Sequence, residues 1–183
     1  APETAAETIR LASEAGAVGG SIEDSTGRSD APVFAIEPAA ERVRAAAAVA
    51  RATPSGFTLT VRAENYLYGR KDLKDTIKRL EAYEEAGADV LYAPGLTTKE
   101  DIAAVVKSVD RPLNVLMGLP GVSLTLADLS ALGVKRVSVG GGLARAALGG
   151  FLRAAREMRE SGSFTWAAEA VSSLSELTAK FRE

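Results

Sequence analysis

The sequence predicts an α/β fold, a parallel sheet with its helices outside, and two patterns carry that expectation. Helical and strand-like stretches alternate from end to end, with 23–39 residues between strand starts near residues 18, 57, 89, 112 and 135. A junction also recurs: Glu14-Ala15-Gly16-Ala17 and Glu85-Ala86-Gly87-Ala88 each read as a helix end, a capping glycine and a strand start, with an echo at Ala131-Leu132-Gly133-Val134. Five strands fall short of the eight that close a (β/α)8 barrel of about 250 residues. The sheet is therefore open, or it is the C-terminal five strands of a TIM-type (β/α)8 barrel. A start on a helix, with no strand before it, favours the barrel.

The elements follow in order. Pro2 to Ala15 reads as a helix, since Pro suits a first turn and Ala5, Ile9 and Ala12 share a face. A strand from about Ala17 to Ile22 delivers Glu23 and Asp24. Ser25 to Pro32 is a loop by its Gly, Asp, Ser and Pro content, a candidate lid or an ordinary surface loop. Glu37–Ala52 is an alanine-rich helix with Val43, Ala46 or Ala47 and Ala50 inward. Phe57–Val61 is a β-branched strand ending in Arg62-Ala63-Glu64-Asn65. Asp72–Glu85 is an amphipathic helix with Leu73, Ile77, Leu80 and Ala82 or Tyr83 inward, capped by Asp72. Strands at Asp89–Ala93, Pro112–Leu116 and Lys135–Val139 alternate with helices at Thr98–Val109, Thr125–Leu132 and Leu143–Glu160. A break at Ser161-Gly162-Ser163 precedes a further helix, Thr165–Phe181. Residues 1–183 are expected to form one domain, with 161–183 a C-terminal helical extension whose Phe164 and Trp166 pack on their own barrel or on a neighbouring subunit.

Composition narrows the chemistry. The 183 residues carry a net charge of −2, which is no footprint for nucleic acid, and no apolar run is long enough to span a membrane. Neither cysteine nor histidine is present. Within this chain, acid–base work falls to carboxylates, Lys, Tyr, arginine-tuned groups or a metal-bound water. A cytoplasmic protein is the simplest expectation.

A parallel barrel puts its chemistry at the C-terminal ends of its strands. The polar groups there are Glu23 and Asp24; Arg62, Glu64 and Asn65; Tyr92; Asn114; and Ser138 with Gly140–Gly142. All are expected on one face. Glu23 can hold Mg²⁺ directly or through water. Arg62 offers a planar fork to a carboxylate or phosphate, or else forms a structural ion pair with Glu23 or Glu64. Asn114 can hydrogen-bond an oxygen of a bound anion. The glycine run precedes a helix, so its amides either bind an anion or simply form a tight turn.

Four motifs in this order and spacing carry a resemblance: Gly20-Ser21-Ile22-Glu23-Asp24-Ser25, Thr60-Val61-Arg62-Ala63-Glu64-Asn65, Glu84-Glu85-Ala86-Gly87-Ala88-Asp89-Val90-Leu91 and Pro112-Leu113-Asn114-Val115. The chain resembles the isocitrate lyase/phosphoenolpyruvate mutase superfamily over nearly its whole length. The resemblance implies a modified (β/α)8 barrel, a homo-oligomer (dimer or tetramer), Mg²⁺ as cofactor and a small carboxylate substrate. It implies a lyase or decarboxylase that cleaves a C–C bond of a 2-oxo or 2-hydroxy acid through a pyruvate enolate. The alternatives are a phosphoenolpyruvate mutase or phosphonopyruvate hydrolase-type P–C enzyme, or a non-catalytic barrel fragment. By position Glu23 resembles the acidic residue of the metal's water network and Arg62 the substrate-carboxylate arginine; Asn114 matches a substrate-contacting residue more loosely. The family's first three strands, with the aspartates nearest the metal and the Ser-Gly amides, are expected before Ala1. Isocitrate and methylisocitrate lyases carry a Cys- and His-containing loop where this chain has Thr26–Pro32, so their thiol-base mechanism is not available to it.

Overall fold

The computed structural model describes residues 1–54, 56–170 and 174–179. Residues 1–139 and 140–183 form two compact units.

In the first unit, five helices and five strands alternate: α1 (Pro2–Glu14), β1 (Gly19–Glu23), α2 (Ile36–Ala52), β2 (Thr58–Arg62), α3 (Leu73–Ala86), β3 (Val90–Tyr92), α4 (Lys99–Ser108), β4 (Leu113–Leu116), α5 (Leu126–Ala131) and β5 (Arg136–Ser138). Every strand pair is parallel and the order is β1-β2-β3-β4-β5. That order decides between the two predicted architectures. A doubly wound open sheet reverses its strand order at a switch point, whereas a barrel adds each strand beside the last. The sheet has no reversal, and α1 packs on α2, α2 on α3 and α3 on α4 like consecutive outer helices.

The sheet has two unlike faces. Ile22, Leu59, Val61, Leu91, Leu113 and Val115 join the core with the inner stripes of the helices. In α2 that stripe is Ala39, Val43, Ala46, Ala47 and Ala50, the spacing of one helical face. Residues alternate across a strand, so the intervening positions lie on the other face. They are largely polar: Thr58, Thr60 and Arg62 in β2, Tyr92 in β3, Asn114 in β4 and Ser138 in β5.

Most element boundaries fall within two residues of those read from sequence. The expected cap of α3 is present: the Asp72 carboxylate accepts from the Lys74 and Asp75 amides. Its inward face holds Leu80 and Tyr83 as expected and adds polar residues to them. Thr76, Arg79, Leu80, Tyr83 and Ala86 are buried, while Leu73 and Ile77 are only partly covered. The helix is turned so that Arg79 and Tyr83 reach a buried carboxylate, a polar contact that hydrophobic spacing does not report.

In the second unit α6 (Gly142–Ser161) ends at Gly162 with φ +61°. The single helix expected over Thr165–Phe181 is instead a 3-10 turn at Thr165–Glu169, left by an extended Ala170, and a separate α7 (Leu174–Ala179); residues 171–173, 180 and 181 lie outside the described residues. Phe164 is exposed, while Trp166 borders a groove along α6 with Phe151 and Met158.

Candidate active site

Strand register assembles the site. Glu23 pairs with Arg62, Arg62 with Tyr92, Tyr92 with Asn114 and Asn114 with Arg136. The three residues singled out from sequence, Glu23, Arg62 and Asn114, thus share one row; Glu23 and Arg62 end their strands, while Asn114, expected at a strand end, is the second residue of β4 because the register steps along the sheet. Tyr92 stands between two of them.

Arg62 is the centre of the row. Its Nε donates to Glu64 Oε1 at 2.8 Å, its Nη1 lies 3.3 Å from Glu23 Oε2, and its guanidinium carbon sits 5.3 Å from the centre of the Tyr92 ring. Both ion pairs weighed in the sequence are therefore present. Burial on its own would lower the Arg62 pKa, but the bond to Glu64 and the charges of Glu64 and Glu23 raise it above the usual arginine value. Glu64 is only 3% exposed, and burial raises its carboxyl above the ordinary range; Arg62 counters this only in part. Burial also raises the Tyr92 phenol, which the Ser138 hydroxyl and the Arg62 charge partly offset, so it stays protonated at neutral pH.

Asn114 is 1% exposed. Its Nδ2 donates to Ser138 Oγ at 3.0 Å, and its Oδ1 has no partner among the described residues. A buried amide oxygen without a donor costs about 1–3 kcal/mol. A proton-bearing ligand or a water on this row would remove that cost.

Two strand-end groups expected on this face do not belong to it. Asp24, 2% exposed, turns to the helix side: Oδ2 accepts from Arg79 Nη1 at 3.0 Å and Tyr83 Oη at 2.5 Å, and Oδ1 from the Glu64 amide at 2.8 Å. Asn65 is fully buried and ties down the following loop, its Nδ2 donating to Thr76 Oγ1 at 2.7 Å and the Arg70 carbonyl at 3.1 Å. Strand alternation explains the first of these, since the residue after Glu23 must point the other way.

The loop after β1 is a closed-necked hairpin. Ser25 bridges to Val33, the Thr26 amide donates to the Pro32 carbonyl at 2.9 Å, and Ser25 Oγ lies 2.8 Å from Tyr68 Oη. Its tip carries an exposed Arg28–Asp30 pair. Arg42 braces the base of the loop from α2: its Nη1 donates to the Glu23 carbonyl at 2.7 Å and its guanidinium stacks 4.7 Å from the Phe34 ring centre. Hydrophobic spacing gave no sign of Arg42 or Arg79. The Asp75–Arg79–Tyr83 series at four-residue intervals was the available signal for the latter.

Among the described residues no group of three Asp or Glu could hold a metal ion. Glu23, half-exposed at the strand end, is the one carboxylate of the row itself. Gly140–Gly142 lead into α6, with Gly141 as its N-cap. No described helix is long and apolar enough to cross a membrane.

The family model described as phosphoenolpyruvate phosphomutase matches residues 1–159. A crystal structure from Burkholderia cenocepacia J2315, provisionally assigned as a lyase/mutase, shares 62% identity and a TM-score of 0.95, covering 100% of this chain and 66% of that one. A phosphonopyruvate hydrolase solved with oxalate and Mg²⁺ shares 29% identity and a TM-score of 0.77, covering 99% and 65%. The oxaloacetate decarboxylase of Rhodopseudomonas palustris BisB18 is 29% identical over 137 residues, 72% of this chain and 45% of the relative. The chain spans about half the length of the curated relatives it matches. These neighbours are barrels, so the five strands are an arc of a TIM-type barrel.

Proposed function

The chain belongs to the phosphoenolpyruvate phosphomutase family, and we propose on that premise that the protein is a Mg²⁺-dependent lyase or decarboxylase acting on a small 2-oxo carboxylate. The observation that carries this reading is Arg62. A partly exposed guanidinium lies in one register row with Glu23, Tyr92 and an unpartnered amide oxygen of Asn114. The Arg62 guanidinium suits a small planar carboxylate, and the free Asn114 oxygen suits a ligand hydroxyl or an ordered water.

In this reading the substrate carboxylate takes the Nη1–Nη2 edge of Arg62, displacing the long contact to Glu23. Asn114 and Tyr92 place the remaining oxygens, Asn114 Oδ1 accepting from a ligand hydroxyl or an ordered water. The C–C bond to the departing group breaks, and its electron pair stays on the pyruvate fragment as an enolate. Mg²⁺ would meet this chain at Glu23, directly or through water, and when bound supplies the positive charge that such an enolate requires. The homo-oligomer expected from the resemblance belongs to this proposal too. It is supported by the exposed Leu148, Phe151 and Leu152 of α6.

A second reading, hydrolysis or rearrangement at a P–C bond, is favoured by the likeness to phosphonopyruvate hydrolase. One assay separates them. The protein is incubated with oxaloacetate, other 2-oxo and 2-hydroxy acids, and phosphonopyruvate, with and without Mg²⁺. Metal-dependent pyruvate and CO₂ from oxaloacetate above the protein-free rate, or pyruvate and a second carbonyl fragment from a larger acid, supports the first reading; from phosphonopyruvate, pyruvate with phosphate (hydrolysis) or phosphoenolpyruvate (rearrangement) supports the second. Arg62→Ala is expected to abolish turnover while melting stays cooperative. Unchanged kcat/KM in that variant removes Arg62 from the site. No turnover and no oxalate binding in the wild type would indicate a non-catalytic protein.

A further inference from the structure

We propose that Glu64 is a positioning residue for Arg62: its buried carboxylate, on a backbone that Asp24 anchors, holds the guanidinium Nε and so reserves the Nη1–Nη2 edge for the ligand's carboxylate. The inference rests on the carboxylate-binding reading of Arg62. An arginine guanidinium has two edges that can form a two-point contact, one that includes Nε and the Nη1–Nη2 end, because the other side of Nε carries Cδ and no proton. Glu64 Oε1 occupies Nε at 2.8 Å. Glu23 touches Nη1 only at 3.3 Å, and Nη2 has no hydrogen bond among the described residues. The remaining two-point edge is Nη1–Nη2.

Glu64 is anchored at its backbone and enclosed at its side chain. Its side chain is almost fully buried. Its amide donates to Asp24 Oδ1 at 2.8 Å, and the other Asp24 oxygen is held by Arg79 and Tyr83 of α3. Arg79 is anchored in turn by Asp75 Oδ2 at 2.8 Å and by donation to the Phe34 carbonyl at 2.8 Å. The direction of Arg62 is thus set from α3 through the Asp24 carboxylate, the Glu64 backbone amide and then the Glu64 carboxylate, and neither acid needs to touch the ligand. The Tyr92 ring, stacked against the guanidinium at 5.3 Å, limits rotation about the remaining axis.

The role is positional, so it depends on an acceptor at Nε more than on a charge. Glu64→Gln keeps that acceptor; Glu64→Leu removes it at similar volume. Oxalate binding in the presence of Mg²⁺ is measured by calorimetry for wild type, Glu64→Gln, Glu64→Leu and Arg62→Ala, with thermal melting of each. Glu64→Leu should bind oxalate about tenfold or more weakly, the scale of losing a partner that orients a binding group. Glu64→Gln should stay within about threefold of wild type, and both should melt cooperatively. Wild-type affinity in Glu64→Leu overturns the positioning role while leaving Arg62 in place. Wild-type affinity in Arg62→Ala overturns both this role and the carboxylate-binding reading beneath it. Should Glu64→Leu fail to fold, the arginine Nε–H spectrum decides. An Arg62 Nε–H that exchanges slowly with solvent in wild type and in Glu64→Gln supports the role, and one exchanging as fast as an exposed arginine's overturns it.

Discussion

Arg62 stands between two carboxylates, and each pairing has a different physical weight. The contact with Glu23 is long and half-exposed, so it contributes little. The contact with Glu64 is short and buried on the carboxylate side. Glu64 nonetheless has a raised pKa, because burial, with the nearby charges of Glu23 and Asp24, outweighs Arg62. The folded chain therefore takes up a proton at Glu64 more readily than the unfolded chain. The stability from that difference is full below the ordinary value near 4.5 and is lost as pH rises through the raised folded value. Glu64→Gln removes the titration and keeps the shape. Urea midpoints from about pH 4 to about pH 7 should show the variant gaining on wild type as pH rises. A difference that does not change with pH would contradict this. At this scale the sequence was partly legible. Glu23, Arg62 and Tyr92 end their strands, and register brings them into one row with Asn114, which lies inside β4. Asp24 and Asn65 looked equivalent in sequence, yet a one-residue step along a strand reverses the face, and only the partner atoms reveal which side is used.

The repeated helix–glycine–strand junction recurs in the structure with different surroundings. Gly16 has φ +90° and open space around a would-be Cβ. Gly87 has φ +108° and caps α3; a Cβ there would meet Arg51 Nη2 at 2.4 Å and Ala47 Cβ at 3.0 Å. Alanine at Gly16 meets only the left-handed backbone penalty, about 1–2 kcal/mol. Alanine at Gly87 must also move Arg51, which hydrogen-bonds the Gly87 carbonyl, and crowd α2. Thermal melts of the two variants should show Gly87→Ala losing clearly more stability; equal losses would mean that the crowding relaxes freely. The identical tetrapeptides announced the αL caps. Crowding from α2 depends on a helix thirty-odd residues away, and no local pattern encodes that. The polar part of the buried face of α3 escaped sequence reading for a similar reason: Leu80 and Tyr83 were expected inward, but Arg79 also faces inward to satisfy Asp24.

At the scale of the molecule, topology was the most legible feature. Alternating α and β units force parallel strands, and sequential order then selects the barrel over the doubly wound sheet. The alternation Thr-Leu-Thr-Val-Arg in β2 already separates a helix-facing side from a polar side. The reaction is less legible, because a barrel of this kind hosts many chemistries and its specificity lies in loops and in groups brought by other strands. The central claim is that the polar row presents Arg62 to a small carboxylate, and a crystal structure of the protein with oxalate and Mg²⁺ tests it most directly. The account predicts an oxalate carboxylate within hydrogen-bonding distance of Arg62 Nη1 and Nη2, with Nε still on Glu64. Oxalate bound away from the row, with Arg62 engaged only by Glu23 and Glu64, would contradict it.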